Sequence, residues 1–365
     1  MKLFKCQSCG QLLYFENTRC ERCSHKLAFD SSRAELLTLI QTANDTFSEF
    51  NNSNNLYRYC ANSQHNVCNW LIPFASSDQY CVACKLNEII PDIRQPDRFA
   101  QWKKLESAKH RLIYTLLKLK LPLLAKTDDT NTGMAFNFLA EEEAHTKVIM
   151  GHADGLITIN LAEADDTKRV AMREKLQEPY RTLTGHFRHE SGHYYWDRLV
   201  RDSTNLQSFR SLFGDESIDY GDALKHYYRV GPPANWNISY VSAYSTAHPW
   251  EDWAETWAHY LHIIDTLETA YSHGLQICPV GDDEGRLVSN HQSDPYTVEN
   301  FSEIIKLWYP LTVTVNSLNH SMGKGDFYPF VIPPNVVQKL DFIHRLCRKS
   351  VGNVQHVIEL SFYQG

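Results

Sequence analysis

Five consecutive residues carry the clearest chemical signal in the chain: His189-Glu190-Ser191-Gly192-His193. On a helix, positions four apart stand one turn above each other, so the two imidazoles project from one face. Two nitrogens about 2 Å from one Zn²⁺ need that spacing. Glu190 stands about 100° around the helix, able to reach water beside the metal without ligating it. A general base needs that placement because it acts on the proton of water rather than on the metal. Hydrolytic zinc sites use three protein ligands and leave a fourth position open. The stretch SAYSTAHPWEDWAETWAHYLH offers Glu251 and Glu255, four apart, where Pro249 suits a first helical turn. One carboxylate would bind metal and the other would hold the far N–H of a histidine, fixing its tautomer. Spacing alone does not say which does which. The competing reading makes both of them solvated first-turn residues that complement the helix dipole.

A second ligand chemistry is confined to the start of the chain. Eight of ten cysteines fall within the first 84 residues. Cys6, Cys9, Cys20 and Cys23 form two C-x2-C knuckles around a short apolar strand, Leu12 to Phe15, the pattern of a zinc ribbon closing one structural site. Cys60, Cys68, Cys81 and Cys84 form a second cluster with a looser first pair, in which His65 could substitute. The opening MKLFKCQSCGQ lacks the apolar core of a secretory signal, so metal explains these cysteines better than disulfides. Cys278 and Cys347 are expected to be free, buried thiols.

The elements that must hold these residues can be read coarsely. A zinc-ribbon region is expected over 1–95, with a short helix over 31–42 followed by an Asn-rich linker. Helical periodicity runs from Phe99 to Pro122. Residues 146–161 read as a hairpin turning at Asp154-Gly155. A helix from Thr167, broken at Pro179 and resumed from Tyr180 to Val200, carries the two histidines. Another begins near Pro249. Beyond Cys278, loops and a short helix, Val336 to Leu346, are expected. Gly192 costs a helix ~1 kcal/mol relative to alanine, so a close approach of a neighbouring element should explain it. Asp197 is expected to pair with Arg201 one turn on.

The balance of 36 basic against 43 acidic residues, net −7, argues against a protein that coats nucleic acid or anionic membrane. No stretch has the ~18–20 apolar residues of a membrane span, and a cytoplasmic protein is expected. The nucleophile elbow G-x-S-x-G and the phosphate loop G-x4-G-K-[ST] are both missing.

Residues ~97–275, through GHADGLITINLAEAD, EPYRTLTGHFRHESGHYYWDRLV, FRSLFGDE and VSAYSTAHPWEDWAETWAHYLHI, resemble a bacterial family of zinc-binding metallopeptidases with an N-terminal zinc-ribbon region. CQSCGQLLYFEN and YCANSQHNVCNW resemble that ribbon region. The broader resemblance is to the gluzincins. It implies an α+β chain, a ribbon region followed over 96–365 by a mainly helical, zincin-like domain with a small β-sheet. It also implies His189, His193 and Glu251 as ligands of a catalytic zinc, Glu190 as general base, and Glu255 behind a histidine. In some gluzincins a tyrosine at the offset of Tyr244 brings a phenol near the metal, where it could donate to the oxyanion. Two further zincs would be structural. The substrate implied is a peptide or protein, and the ribbons would recognise that substrate or a protein partner. Residues 1–30 hold five basic against three acidic residues, too slight an excess to claim nucleic acid. The alternative reading is a zinc-ribbon adaptor, binding protein or nucleic acid, whose metallopeptidase-like domain is latent.

Overall fold

The computed structural model describes the chain except residues 44, 142–147, 149, 177–180 and 363–365, and leaves aside the side chains of 174–176 and 350–362. Two compact units divide it: Met1–Lys118 with Leu123–Arg169, and Leu119–Pro122 with Val170–Gly365.

In the first unit, β1 (Phe4–Lys5) and β2 (Leu12–Leu13) pair on either side of the first cysteine knuckle, Cys6 and Cys9. A five-stranded antiparallel sheet follows: β3 (Lys26–Asp30), β4 (Glu35–Ala43), β5 (Thr46–Glu49), β6 (Asn52–Tyr59) and β7 (Leu71–Pro73). The helix expected over 31–42 is therefore a strand, and the expected Asn-rich linker is two more. Leu36, Leu37, Thr38 and Leu39 are consecutive and all buried, and so short an apolar run does not separate strand from helix by periodicity. The Asn-rich residues lie on a largely exposed strand, where backbone pairing rather than side-chain burial keeps them extended.

β8 (Asn87–Ile89), α1 (Pro96–Lys118) and β9 (Ala135–Leu139) form a strand–helix–strand unit with β8 parallel to β9. β10 (Gly151–Ala153) and β11 (Leu156–Asn160) complete this sheet in the order β10-β11-β9-β8, β11 running parallel to β9. The hairpin turns at Asp154 and Gly155, both with positive φ as a two-residue I′ turn requires. Thr146, with which the hairpin was expected to begin, lies outside the described residues. α1 stops at Lys118 rather than Pro122 because Lys120 already adopts a left-handed φ of 54°. Tyr114 of α1 meets Phe15 and Phe29 at ring distances of 5.4 and 5.9 Å, and Trp70 closes the cluster 4.7 Å from Phe29. Through β8 and this cluster, α1 and β9–β11 belong to the same unit as the ribbon. The first compact unit thus groups α1 and β9–β11 with residues 1–95.

The second unit is helical. After α2 (Asp166–Leu176) come α3 (Leu183–Trp196), α4 (Leu206–Phe213), α5 (Tyr220–Val230), α6 (Pro249–Ser272), α7 (Phe301–Ser321) and α8 (Pro334–Phe362). A short pair, β12 (Gln276–Ile277) with β13 (Ser289–Asn290), precedes α7. The expected break at Pro179 lies outside the described residues. The tail is more helical than expected: α7, with Pro310 inside it, stands where loop was expected, and α8 extends the helix expected over Val336 to Leu346. α3 starts at Thr182, whose hydroxyl accepts from the Gly185 N–H. It continues past Trp196 as a π-helical turn, Asp197–Arg201, across which Arg201 and Asp197 pair at 2.9 Å.

The core of this unit forms where α3 crosses α6. Trp253 and Trp257 of α6 are fully buried. Their indole N–H groups donate to Gly192 O at 2.8 Å and to Ser191 Oγ at 3.1 Å. A Cβ added at Gly192 would lie 2.9 Å from the Ala254 Cα, so the glycine does mark a close helix-on-helix approach. The class is mixed α+β, with small sheets and a mainly helical second unit. Among the described residues, no helix is long and apolar enough to cross a membrane.

Candidate metal centres

Among the described residues, three separate groups of side chains converge as metal ligands would, and a fourth set, Cys84, Glu106 and His110, shares its cysteine with the second of them. In the first, Cys6 and Cys23 Sγ atoms are 3.5 Å apart and those of Cys9 and Cys20 3.6 Å. In the second, made by Cys60, Cys68, Cys81 and Cys84, Cys68 and Cys81 are 3.7 Å apart. A tetrahedron with 2.3 Å Zn–S bonds has edges of about 3.8 Å, so both sets suit four thiolates around one ion. All eight are free thiols. His65 packs edge-on against Trp102 and stands outside the second set. Of the two remaining cysteines, Cys347 is buried as expected, but Cys278 is exposed, in the chain that follows β12.

The second cysteine set has surroundings that sequence did not disclose. Glu106, Lys109 and His110 of α1 are all buried against it. His110 Nε2 lies 3.6 Å from Cys84 Sγ, and Lys109 Nζ lies 2.9 Å from a Glu106 carboxylate oxygen. Asn87 donates to Glu106 at 2.7 Å and accepts from Lys109. Four thiolates around a divalent ion carry two net negative charges, which accounts for a lysine with no exposed surface beside them.

The third group is assembled by α3 and α6. His189 and His193 Nε2 atoms are 3.3 Å apart, and Glu251 Oε2 is 3.1 Å from His189 Nε2. One donor atom from each of the three lies within 4.8 Å of the others. His189 Nδ1 is 2.7 Å from Glu255 Oε1, whose other oxygen accepts from Ser242 Oγ at 2.7 Å. With Nδ1–H donated to Glu255, the His189 Nε2 lone pair faces the same small space as His193 Nε2 and Glu251 Oε2. That oxygen of Glu251 is buried and has no hydrogen bond. Three donor atoms aimed at one point suit a cation, and two imidazoles with a carboxylate suit zinc.

Electrostatics follow from the same packing. Burial raises the Glu190 carboxyl to about 7; His189 opposes the rise, and Glu251 and Glu255 add to it. Its Oε2 is buried without a hydrogen bond. Burial lowers His193 to about 4. Burial also opposes protonation of His189, but Glu251 and Glu255 outweigh it and hold that imidazole well above its ordinary value. Glu251 is almost wholly buried, yet the two histidines and Tyr220 bring it down to about 2.

Each side chain expected at this centre is present on α3, on α6 or just before α6. The Tyr244 ring is 6.2 Å from the His189 ring, and burial raises its phenol well above the ordinary value. One partner was missed. Tyr220, at the start of α5, donates its hydroxyl to Glu251 Oε1 at 2.6 Å. It stands in no motif, and its 31-residue separation from Glu251 leaves no periodic signal.

Residues 98–346 match the family described as "Putative zinc-binding metallo-peptidase", and residues 3–95 match a zinc-ribbon domain. Uncharacterized proteins of Mycobacterium bovis and Mycobacterium tuberculosis are 42% identical over 345 residues, 94% of this chain and 94% of theirs. No solved structure matches.

Proposed function

The chain belongs to that zinc-binding metallo-peptidase family, and from this premise we propose a peptidase whose metal is held by His189, His193 and Glu251. The observation that carries the reading is the convergence of these three donors, backed by Glu255 on the far nitrogen of His189. Zinc bound there would supply Lewis acidity, polarising a peptide carbonyl and acidifying water.

The chain's own residues supply the rest. Glu190, with a carboxyl near neutrality and an unpaired oxygen, takes a proton from the attacking water and returns it to the departing amine. Glu255 accepts from His189 Nδ1 and so keeps the Nε2 lone pair directed inward, while Ser242 holds Glu255 in place. Tyr244, kept protonated by burial, is assigned the donor that meets the developing oxyanion. Closed four-cysteine sites have no open position, so the zincs of Cys6, Cys9, Cys20 and Cys23 and of Cys60, Cys68, Cys81 and Cys84 are structural. The ribbon region is assigned recognition of the peptide substrate or of a protein partner.

Metal content per chain tests the reading. Wild type should hold three zincs and His189→Ala two; equal content in both would sink it. Glu190→Gln should keep all three zincs and lose cleavage of a peptide library by a factor on the order of 10²–10⁴. Cleavage that survives that change would remove Glu190 from its role.

A further inference from the structure

Glu251 has two oxygens, and the structure treats them differently. Oε2 faces His189 Nε2 at 3.1 Å and has no hydrogen bond, whereas Oε1 accepts the Tyr220 hydroxyl at 2.6 Å and stands 3.7 Å from His193 Nε2. Glu251 itself is 1% exposed, so no solvent competes for either oxygen.

The phenol is placed by packing outside its own helix. α5 buries none of its residues, yet the Tyr220 ring lies 5.2 Å from the His248 ring and 5.9 Å from that of Trp250. His248 caps α6 and Trp250 is its second residue, immediately before Glu251. His248 is fixed in turn: Nδ1 accepts from the Trp250 N–H at 3.1 Å, and Nε2 lies 3.2 Å from Ile218 O. The start of α6 thus carries both the carboxylate and the clamp that aims a donor at it.

A carboxylate whose two oxygens are equally free can chelate an ion with both or swing between them. A donor on one oxygen removes that freedom. A neutral donor does so without cancelling the charge a cation needs, as an arginine or lysine at this position would.

We propose that Tyr220 is a positioning residue that ties up Oε1 and presents Glu251 to the catalytic metal through Oε2 alone. This rests on the peptidase reading above. One oxygen per ligand keeps the coordination sphere at three protein atoms, which preserves an open position for chemistry.

The test is site-selective zinc affinity in the full chain, measured by competition with a chromophoric chelator. Hydrogen-bond partners of metal ligands are typically worth 10–100-fold in affinity, so Tyr220→Phe should weaken the third zinc by about tenfold or more. The cysteine-held zincs should be unchanged. With cobalt in place of zinc, the spectrum remaining after subtraction of the His189→Ala protein should shift. Tyr271→Phe, at the far end of α6, should change neither readout. Affinity within twofold of wild type together with an unchanged cobalt spectrum would overturn the assignment. So would a Tyr220→Phe penalty that persists undiminished in a Glu251→Ala background, because the hydroxyl would then act on the fold. If wild type and His189→Ala hold equal zinc, it is the peptidase reading itself that fails, a result distinct from either of these.

Discussion

Glu106 and Lys109 are paired where neither would otherwise survive. Both are fully buried, and Glu106 also accepts from Trp102 Nε1 at 3.1 Å and from Asn87. Removing one partner of such a pair leaves the other as an uncompensated buried charge, at a cost of about 3–5 kcal/mol. Lys109→Met should therefore lower the unfolding free energy of zinc-loaded protein by about that amount in urea titrations. The double change Lys109→Met with Glu106→Leu should recover most of it. An unchanged midpoint in the single variant would mean that the charge of Lys109 contributes no net stability. None of this is written in the spacing of α1, whose periodic positions announce a helix and a buried face but not an ion pair within that face. The same limit hid Tyr220, whereas His189, Glu190 and His193 could be read because their geometry is local to a single turn.

At the scale of elements, the approach of α3 to α6 decides whether the third centre forms. Gly192 lies between His189 and His193, and the atoms facing it are the Ala254 Cα and the Trp257 side chain. Gly192→Ala gains helix propensity but overpacks this contact, and overpacking typically costs about 1–3 kcal/mol. Melting curves should show a net loss of stability, and the third zinc should bind more weakly because Glu251 is carried on the helix pushed away. A variant at least as stable as wild type would show that the helices can part without consequence. The glycine was readable in advance as a sign of close approach, but its partner was not, since contacts between helices carry no sequence spacing. Elsewhere the local signal failed for a different reason. β4 places Leu36, Leu37 and Leu39 in the core, and so dense a run satisfies helix and strand alike. Its identity comes from pairing with β3 and β5 on either side. Of the two long helices of the tail, the second was expected over Val336 to Leu346, whereas α7, which bears no chemical motif and has Pro310 inside it, was not.

For the molecule as a whole, acid sensitivity should arise in the helical unit. His259 of α6 is buried, lies 2.6 Å through Nδ1 from the Tyr328 hydroxyl, and is driven by burial down to about 4. Glu255 favours its charged form, and burial together with Arg188 outweighs it. Because the folded value lies below the unfolded one, near 6.5, the stabilising contribution is complete above pH 6.5. It is lost as pH falls from there toward 4. A displacement of that size corresponds to on the order of 3 kcal/mol. Melting temperature measured from pH 7 to 4 should therefore fall more steeply in wild type than in His259→Gln, and parallel curves would refute the assignment. The α+β class and the order of ribbon before helices were legible from the sequence. The extent of each compact unit was not, because it depends on β8.

That strand has a consequence for how such a gene can be cut and rejoined. β8 belongs by sequence to the cysteine-rich opening, yet its hydrogen-bonding partner β9 lies beyond α1. A recombination event that moved codons 1–95 into another gene would carry away an edge strand without its sheet, and would leave β9 with one flank bare. The cysteine-rich opening is thus a poor currency for exchange between proteins. A chimera cut after Arg169 keeps β8 beside β9 and should express as folded protein more readily than one cut after residue 95.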